Sequence, residues 1–285
     1  MKFMNNIRRM MHRDLQSDIR KLLCRDATII SYVNNDYLLK LGYSFENSQD
    51  YQYVKAVHEI LSMYCSQDIE LRRIGNQNDG GYVMMIPPST NKVAYSLGIS
   101  GDVSWDSEIV NMGYEVFQYD HTIKRLPVSN KHFHWHKIGI GGRIEGSFIT
   151  IEEMLRQNGH LENREMLLKM DIEGAEWDAL YNTDVSILNK FDQILIELHD
   201  LMNICNRDVK IECLRKLTSG HRVVHIHGNN YDYVQWCNDL ILPNTIEVTF
   251  LRNDIANFEL YRGFLPTALD TPNDPLLCDI LMGNW

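Results

Sequence analysis

The chain has 285 residues, 44% hydrophobic and 23% charged, with a formal net charge of −10. This is the composition of a globular protein with core enough for one large domain, or a domain and an extension. The acidic balance argues against a general nucleic-acid binder, which displays a broad basic face; no apolar run is long enough for stable membrane insertion.

Residues 1–66 are rich in Leu, Met, Tyr and charged side chains with almost no Gly or Pro, and predict an N-terminal helical extension to a domain over residues 67–285. Its start, "MKFMNNIRRMMHRDLQSDIRKLL", is basic and broken by charges, so it fits an amphipathic helix rather than a signal peptide. Such a face is either solvated or meets anionic lipid or a partner, a second copy in a homo-oligomer included. Cys24, Cys65, Cys205, Cys213, Cys237 and Cys278 are scattered without zinc or redox spacing, the pattern of reduced thiols and a cytoplasmic location.

From Lys92 onward short apolar runs alternate with helical spacing. "KVAYSL", "EVFQYD", "HFHWHK", "EMLLKMD", "QILIEL", "RVVHIH" and "IEVTFL" predict strands; residues 103–112, 150–158, 176–182 and 207–217 predict helices. The alternation specifies an α/β fold with a mostly parallel sheet and helices on both faces. In such sheets ligands gather beyond the carboxyl ends of the strands.

The first strand runs into Gly98, Ser100, Gly101 and Asp102, a turn that lets a ligand approach the backbone and leads into a helix start that favours an anion. Taken alone the turn is equally a plain connector. Its spacing is not G-x-G-x-x-G, which disfavours a nicotinamide-dependent oxidoreductase. The next strand ends in Asp120 and His121, where a carboxylate would accept the two hydroxyls of a ribose, or cap a helix. "LLKMDIEGAEWDAL" then places Asp171, Glu173, Glu176 and Asp178 close together, and "FDQILIELHDL" adds Glu197, His199 and Asp200. Parallel pairing of these two strands would crowd several carboxylates, which need a proton or a cation to coexist. Asp171, Glu197 and His199 are the candidate ligands, oxygen favouring Mg and histidine tilting toward Mn. Glu173 and Asp200 face the same side as candidate substrate contacts, whereas Glu176 and Asp178 fit charges in the first turn of a helix. His225 and His227 share one side of a strand. His199 and His227, at strand ends, are candidate general bases or satisfied polar residues; His132, His134 and His136 alternate on an exposed or structural face.

These residues carry a resemblance. "LLKMDIEGAEWDAL" resembles the signature of the FkbM-type S-adenosylmethionine-dependent methyltransferases, and "RIGNQNDGGYVM", "YSLGISGDVSWDSEI" and "YDHTI" are similar to segments of that superfamily, over roughly residues 70–200. The resemblance implies a class I, Rossmann-like methyltransferase with a seven-stranded sheet, its one antiparallel strand at "IEVTFL". It implies S-adenosylmethionine as donor, with Gly98, Ser100, Gly101 and Asp102 at its methionine end, Asp120 and His121 at the ribose, and Ile138 at the adenine. Ser96 and Leu97 stand where such enzymes often carry an acid before the glycines, leaving Asp102 or Asp79 for the methionine amino group.

The implied activity is methyl transfer to a hydroxyl, with Asp171 and Glu197 anchoring the acceptor or an ion and His199 or His227 as base. The acceptor class implied is a sugar, preferably a nucleotide-activated sugar for a bacterial surface polysaccharide, or another polyhydroxylated natural product; Arg73, Lys124 or Arg125 would hold a diphosphate. The N-P-P-Y or D-P-P-Y tetrapeptide of amino-methylating nucleic-acid enzymes is absent. A non-catalytic binding protein on the same fold would keep the core and lose the cleft acids.

Overall fold

The apolar runs after Lys92 assemble into one sheet. The computed structural model describes residues 25–41, 46–86 and 90–285, so the basic segment 1–23 and Cys24 lie outside the described residues. The strands used below are β1 (Leu71–Gly75), β2 (Gly81–Met85), β3 (Val93–Leu97), β4 (Glu115–Tyr119), β5 (Phe133–His136), β6 (Met166–Met170), β7 (Phe191–Leu198), β8 (His221–Gly228), β9 (Val234–Cys237), β10 (Leu240–Pro243) and β11 (Ile246–Arg252). The seven-stranded sheet has the order β8-β11-β7-β6-β3-β4-β5. Its β7-β6-β3-β4-β5 part is parallel throughout, and β11 is inserted antiparallel to both β7 and β8.

Every residue of β6 and β7 is buried, as continuous apolar runs in a sheet covered on both faces require. The helices are α1 (residues 25–40), α2 (Gln49–Ile60), α3 (Ser104–Asn111), α4 (Ile151–Gln157), α5 (Glu176–Tyr181), α6 (Val185–Leu188) and α7 (Arg207–Gly220). Period-2 alternation sorts the sheet's side chains. Tyr95, Met166, Leu168 and Met170 join α2 and α4 to α7 in one core, while Ala94, Val116, Leu167 and Leu195 meet Trp105 and Ile109 of α3 and Ile74, Tyr82 and Met84 of the β1–β2 hairpin in the other. Helix starts are set locally: Thr150 accepts from the Glu153 amide at 3.2 Å and Asp184 from the Ser186 amide at 2.7 Å.

Three features go beyond the sequence expectations. The β1–β2 hairpin, in the "RRIGNQNDGGYVMM" stretch, lies against α3 and brings Tyr82 over the sheet's end. Helix α1 turns polar residues inward: Thr28 and Ser31 accept from the Val234 and Trp236 amides, and Asn35 brackets the Asn238 backbone, so α1 covers the edge of β9. Residues 264–285, with little regular structure, cross the ends of β8 and β11. There the Asp274 amide donates to Asn230, Asn273 donates to Glu247, and Asp270 and Asp279 meet His225 and His227.

Candidate active site

A cleft of about 760 Å³ opens at the carboxyl ends of β3, β4 and β6, within the size range of small-molecule sites. One half is built from the turn after β3. Gly98 has φ of +81°, its amide donates to the Tyr119 carbonyl at 3.0 Å, and the chain passes so near β6 that the Asp171 amide donates to the Leu97 carbonyl at 2.9 Å. Ser100 also has positive φ, +48°.

Asp120 is the brace of this turn. One carboxylate oxygen accepts from the Ile99 and Ser100 amides at 3.0 and 2.9 Å; the other accepts from the Thr122 amide and hydroxyl at 2.7 and 2.6 Å. Four donors from its own chain fill the acceptor capacity of a carboxylate, so in this structure Asp120 holds the turn in shape. Burial raises its carboxyl, but the bonds from Thr122, Ser100 and Ile99 outweigh burial and hold it below the ordinary aspartate range. A depressed folded pKa gives stability that is present above the unfolded value, about 3.9, and lost as pH falls through the folded one. Asp120→Ala is therefore expected to cost about 2 kcal/mol at neutral pH, a gap from the wild type that narrows at pH 3. Urea unfolding at the two pH values checks this, and an equal gap at both would refute the charge-assisted account.

Asp102 is likewise engaged, accepting from the Ser104 amide at 2.8 Å, the Ser104 hydroxyl at 2.9 Å and the Asn76 side chain at 2.6 Å. Gly101 has open space where a Cβ would project. His121 lines the cleft, with its ring 4.6 Å from that of Phe148. Ile138 packs against the core instead; Gly139 and Ile140 reach the cleft, a register displacement of one to two residues from the sequence expectation.

The other half is acidic: Asp171 and Glu173 line it, and His199, Glu176 and Glu197 adjoin them outside the lining. His199 sits 3.2 Å from Glu176 through Nδ1, and its Nε2 lies 4.0, 3.8 and 3.8 Å from Asp171, Glu173 and Glu197. Burial disfavours its charge, but the Glu176 hydrogen bond and the Glu197, Glu176 and Asp171 carboxylates outweigh burial and raise it to about 10. The imidazolium is thus the counter-charge of the cluster at neutral pH. Burial, then Asp171 and Glu247, push the Glu197 carboxyl well above the usual range, with His199 opposing; Glu197 accepts from Asn229 at 2.5 Å. Tyr82 donates to Asp171 at 3.3 Å, and burial followed by Asp171 keeps its phenol protonated.

Asp171, Glu173 and His199 each offer an atom within 4.8 Å of the others, the grouping that could hold a metal ion among the described residues. Glu197, the third ligand expected from the strand-end pattern, lies 3.8 Å from His199 Nε2 and outside that grouping. Glu173 has φ of +56° and a side chain 86% exposed, at the cleft mouth. Asp200 is exposed beside Gly174 and outside the cleft lining. His227 is fully buried between Glu247 at 3.3 Å and Asp279 at 3.0 Å, away from the cleft lining. Arg73 donates to the Asn76 and Asn78 carbonyls of its own hairpin.

Glu176 is more than a charge in the first turn of α5. Fully buried, it accepts from the Ile172 amide at 2.8 Å and the Gly174 amide at 2.9 Å besides His199, tying the turn after β6 to the end of β7. Lys169, next to the carboxyl end of β6, lines the cleft as well. An ammonium inside an apolar strand run was the signal for it.

A family profile described as a methyltransferase domain matches residues 62–210. No curated protein matches the chain. Among solved structures, the chain is similar to a variant of a 16S rRNA (adenine(1408)-N(1))-methyltransferase from Catenulisporales acidiphilia. The identity is 10% and the TM-score 0.28, over 66% of this chain and 99% of the other.

Proposed function

The chain belongs to the family of methyltransferase domains whose profile covers residues 62–210, and on that premise we propose that it moves a methyl group from S-adenosylmethionine to a hydroxyl oxygen of a small polyhydroxylated acceptor. The observation that carries this reading is the joining, in one cleft, of a backbone turn with room above Gly101 and an acidic wall of Asp171 and Glu173, which His199 adjoins from outside the lining.

The residues present fit the donor. The turn after Gly98 leaves its surface open, and an excess of carboxylates suits a cationic sulfonium. S-adenosylmethionine supplies, when bound, an electrophilic methyl carbon on positive sulfur. The turn residues Gly98 to Gly101 orient the donor; His121, Gly139, Ile140 and Phe148 line the nucleoside end, and Asp79 is the group left for the methionine amine, since Asp102 is satisfied by Asn76 and Ser104. Asp171 would hold the acceptor's hydroxyl and take its proton, the oxygen gaining the methyl as the donor's carbon–sulfur bond breaks and S-adenosylhomocysteine leaves. Tyr82 and protonated His199 steady the Asp171 charge, so His199 acts as counter-ion rather than as base.

A divalent cation is a second reading, favoured by the convergence of Asp171, Glu173 and His199. Those oxygens and an imidazole fit Mg or Mn, which would lower the acceptor's pKa. Turnover that survives complete chelation would leave the Asp171 account. The FkbM-type resemblance supports a sugar acceptor, for which a nucleotide-activated sugar in a bacterial cytoplasm is the preferred case.

Mass spectrometry of ligands released from freshly purified protein, with titration by S-adenosylhomocysteine, tests the class. Recovery of donor or product, or saturable binding, is expected, followed by a screen of sugar nucleotides with and without Mg or Mn. Absence of both would defeat the enzyme reading and leave a binding protein on a methyltransferase fold.

A further inference from the structure

Lys169 is a charge in an unusual position. It is the penultimate residue of β6, is 6% exposed, and shares its sheet face with Ser96 and Leu167, in the core under α3. Its ammonium donates to the Gly98 carbonyl at 2.9 Å and lies 5.4 Å from the centroid of the Tyr82 ring. Among the described residues no carboxylate comes within 4.0 Å of it, the buried Asp106 and the Asp79 carboxylate feeling its charge only from beyond that distance, and the Gly98 carbonyl is its one hydrogen-bond acceptor. A buried ammonium ordinarily has an ion partner and more than one acceptor, because desolvation is otherwise uncompensated. Of three N–H groups, this one has used one.

The surroundings define what would complete it. Lys169 is the only Lys or Arg among the described residues that line the cleft, and it stands beneath the turn whose floor is Gly98, with Asp79 and Asp171 on the same wall. An anion small enough to reach Nζ past Gly98 and bearing a positive group for the neighbouring acids satisfies both features. An α-amino acid terminus has that shape. We propose that Lys169 is the carboxylate-binding residue of the donor site: it holds the methionine carboxylate, while Asp79 faces the amine. This inference rests on the reading of the cleft as a donor site.

Charge makes the assignment testable by sign. In a cleft of carboxylates with no committed cation, removing the ligand's carboxylate removes repulsion and strengthens binding. With Lys169 on that carboxylate, removing it forfeits a charge-assisted contact. The experiment is calorimetric titration of the full chain with S-adenosylhomocysteine and with S-adenosyl-3-thiopropylamine, which keeps the nucleoside, thioether and amine and lacks the carboxylate.

The unmodified protein is expected to prefer S-adenosylhomocysteine by about tenfold or more. Lys169→Met is expected to abolish or invert that preference, and Lys169→Arg to retain part of it. Equal binding of the two ligands by the wild type, or a preference for the amine, overturns the inference without recourse to a variant that could fail to fold. A preference that persists in Lys169→Met also overturns it. If the wild type binds neither ligand, the donor-site reading fails, and the assignment of Lys169 with it; binding of both without the preference removes the assignment alone.

Discussion

Gly98→Ala is expected to yield no folded protein, or to lower the unfolding free energy by more than ~4 kcal/mol. Two independent penalties coincide there. The backbone has φ of +81°, open to glycine and strained for alanine, and an added Cβ would stand 1.6 Å from the Asp171 carbonyl oxygen. That carbonyl cannot retreat, since Asp171 is held at its amide by Leu97 and directly follows the strand next to β3. Three residues on, Gly101 provides the contrast. A Cβ there meets nothing within 4 Å, so Gly101→Ala is expected to match the wild type within about 0.5 kcal/mol while weakening S-adenosylhomocysteine. Denaturant unfolding of both variants, with soluble yield for the first, decides the matter; a Gly98→Ala protein of ordinary stability would show that the two strands can separate at no great cost.

Glu176→Ala is the second large effect, with an expected loss of about 3 kcal/mol. The substitution orphans the Ile172 and Gly174 amides and removes the closest counter-charge of His199 in a buried setting. Glu176→Gln keeps the shape and one acceptor oxygen, so it is expected to restore part of the loss while bringing the His199 titration down from about 10 toward the ordinary histidine range. Urea unfolding gives the first quantity and imidazole chemical shifts the second. An unchanged His199 titration in Glu176→Gln would assign its counter-charge to Glu197 and Asp171 alone.

The sheet was legible because its strands are written as uninterrupted apolar runs. The expected strands at "EMLLKMD", "QILIEL" and "IEVTFL" correspond to β6, β7 and β11, and the expected helices at 103–112, 150–158 and 176–182 to α3, α4 and α5 within one residue at each end. The glycine turn and the acids after β6 and β7 were legible because topology places strand ends together. Which acids face which partner was not. Asp120, just past a strand end, and Asp102, in the turn after β3, fit ligand contacts, yet their oxygens are taken by donors of the chain itself, some two residues away and others twenty or more, pairings that periodicity does not encode. His227 shares its strand face with His225, but segment 264–285 closes over both, and a segment without period gives no advance notice of where it packs. Glu176 illustrates the opposite case, a helix-start acid whose reach back to Ile172 makes it a member of the site.

The segment over residues 264–285 bears on the order in which the chain is made. Glu247 and His227 leave the ribosome before Asn273 and Asp279, their respective hydrogen-bond partners, have been synthesised. Until then these groups must stay hydrated or unpaired, because burying them alone is costly. The donor turn has no such delay: Asn76, Gly98, Asp102, Asp120 and Lys169 find their partners between Arg73 and Asp171. Vectorial synthesis therefore favours early closure of the donor turn, with β8 and β11 covered last, by the segment that follows every strand of the sheet.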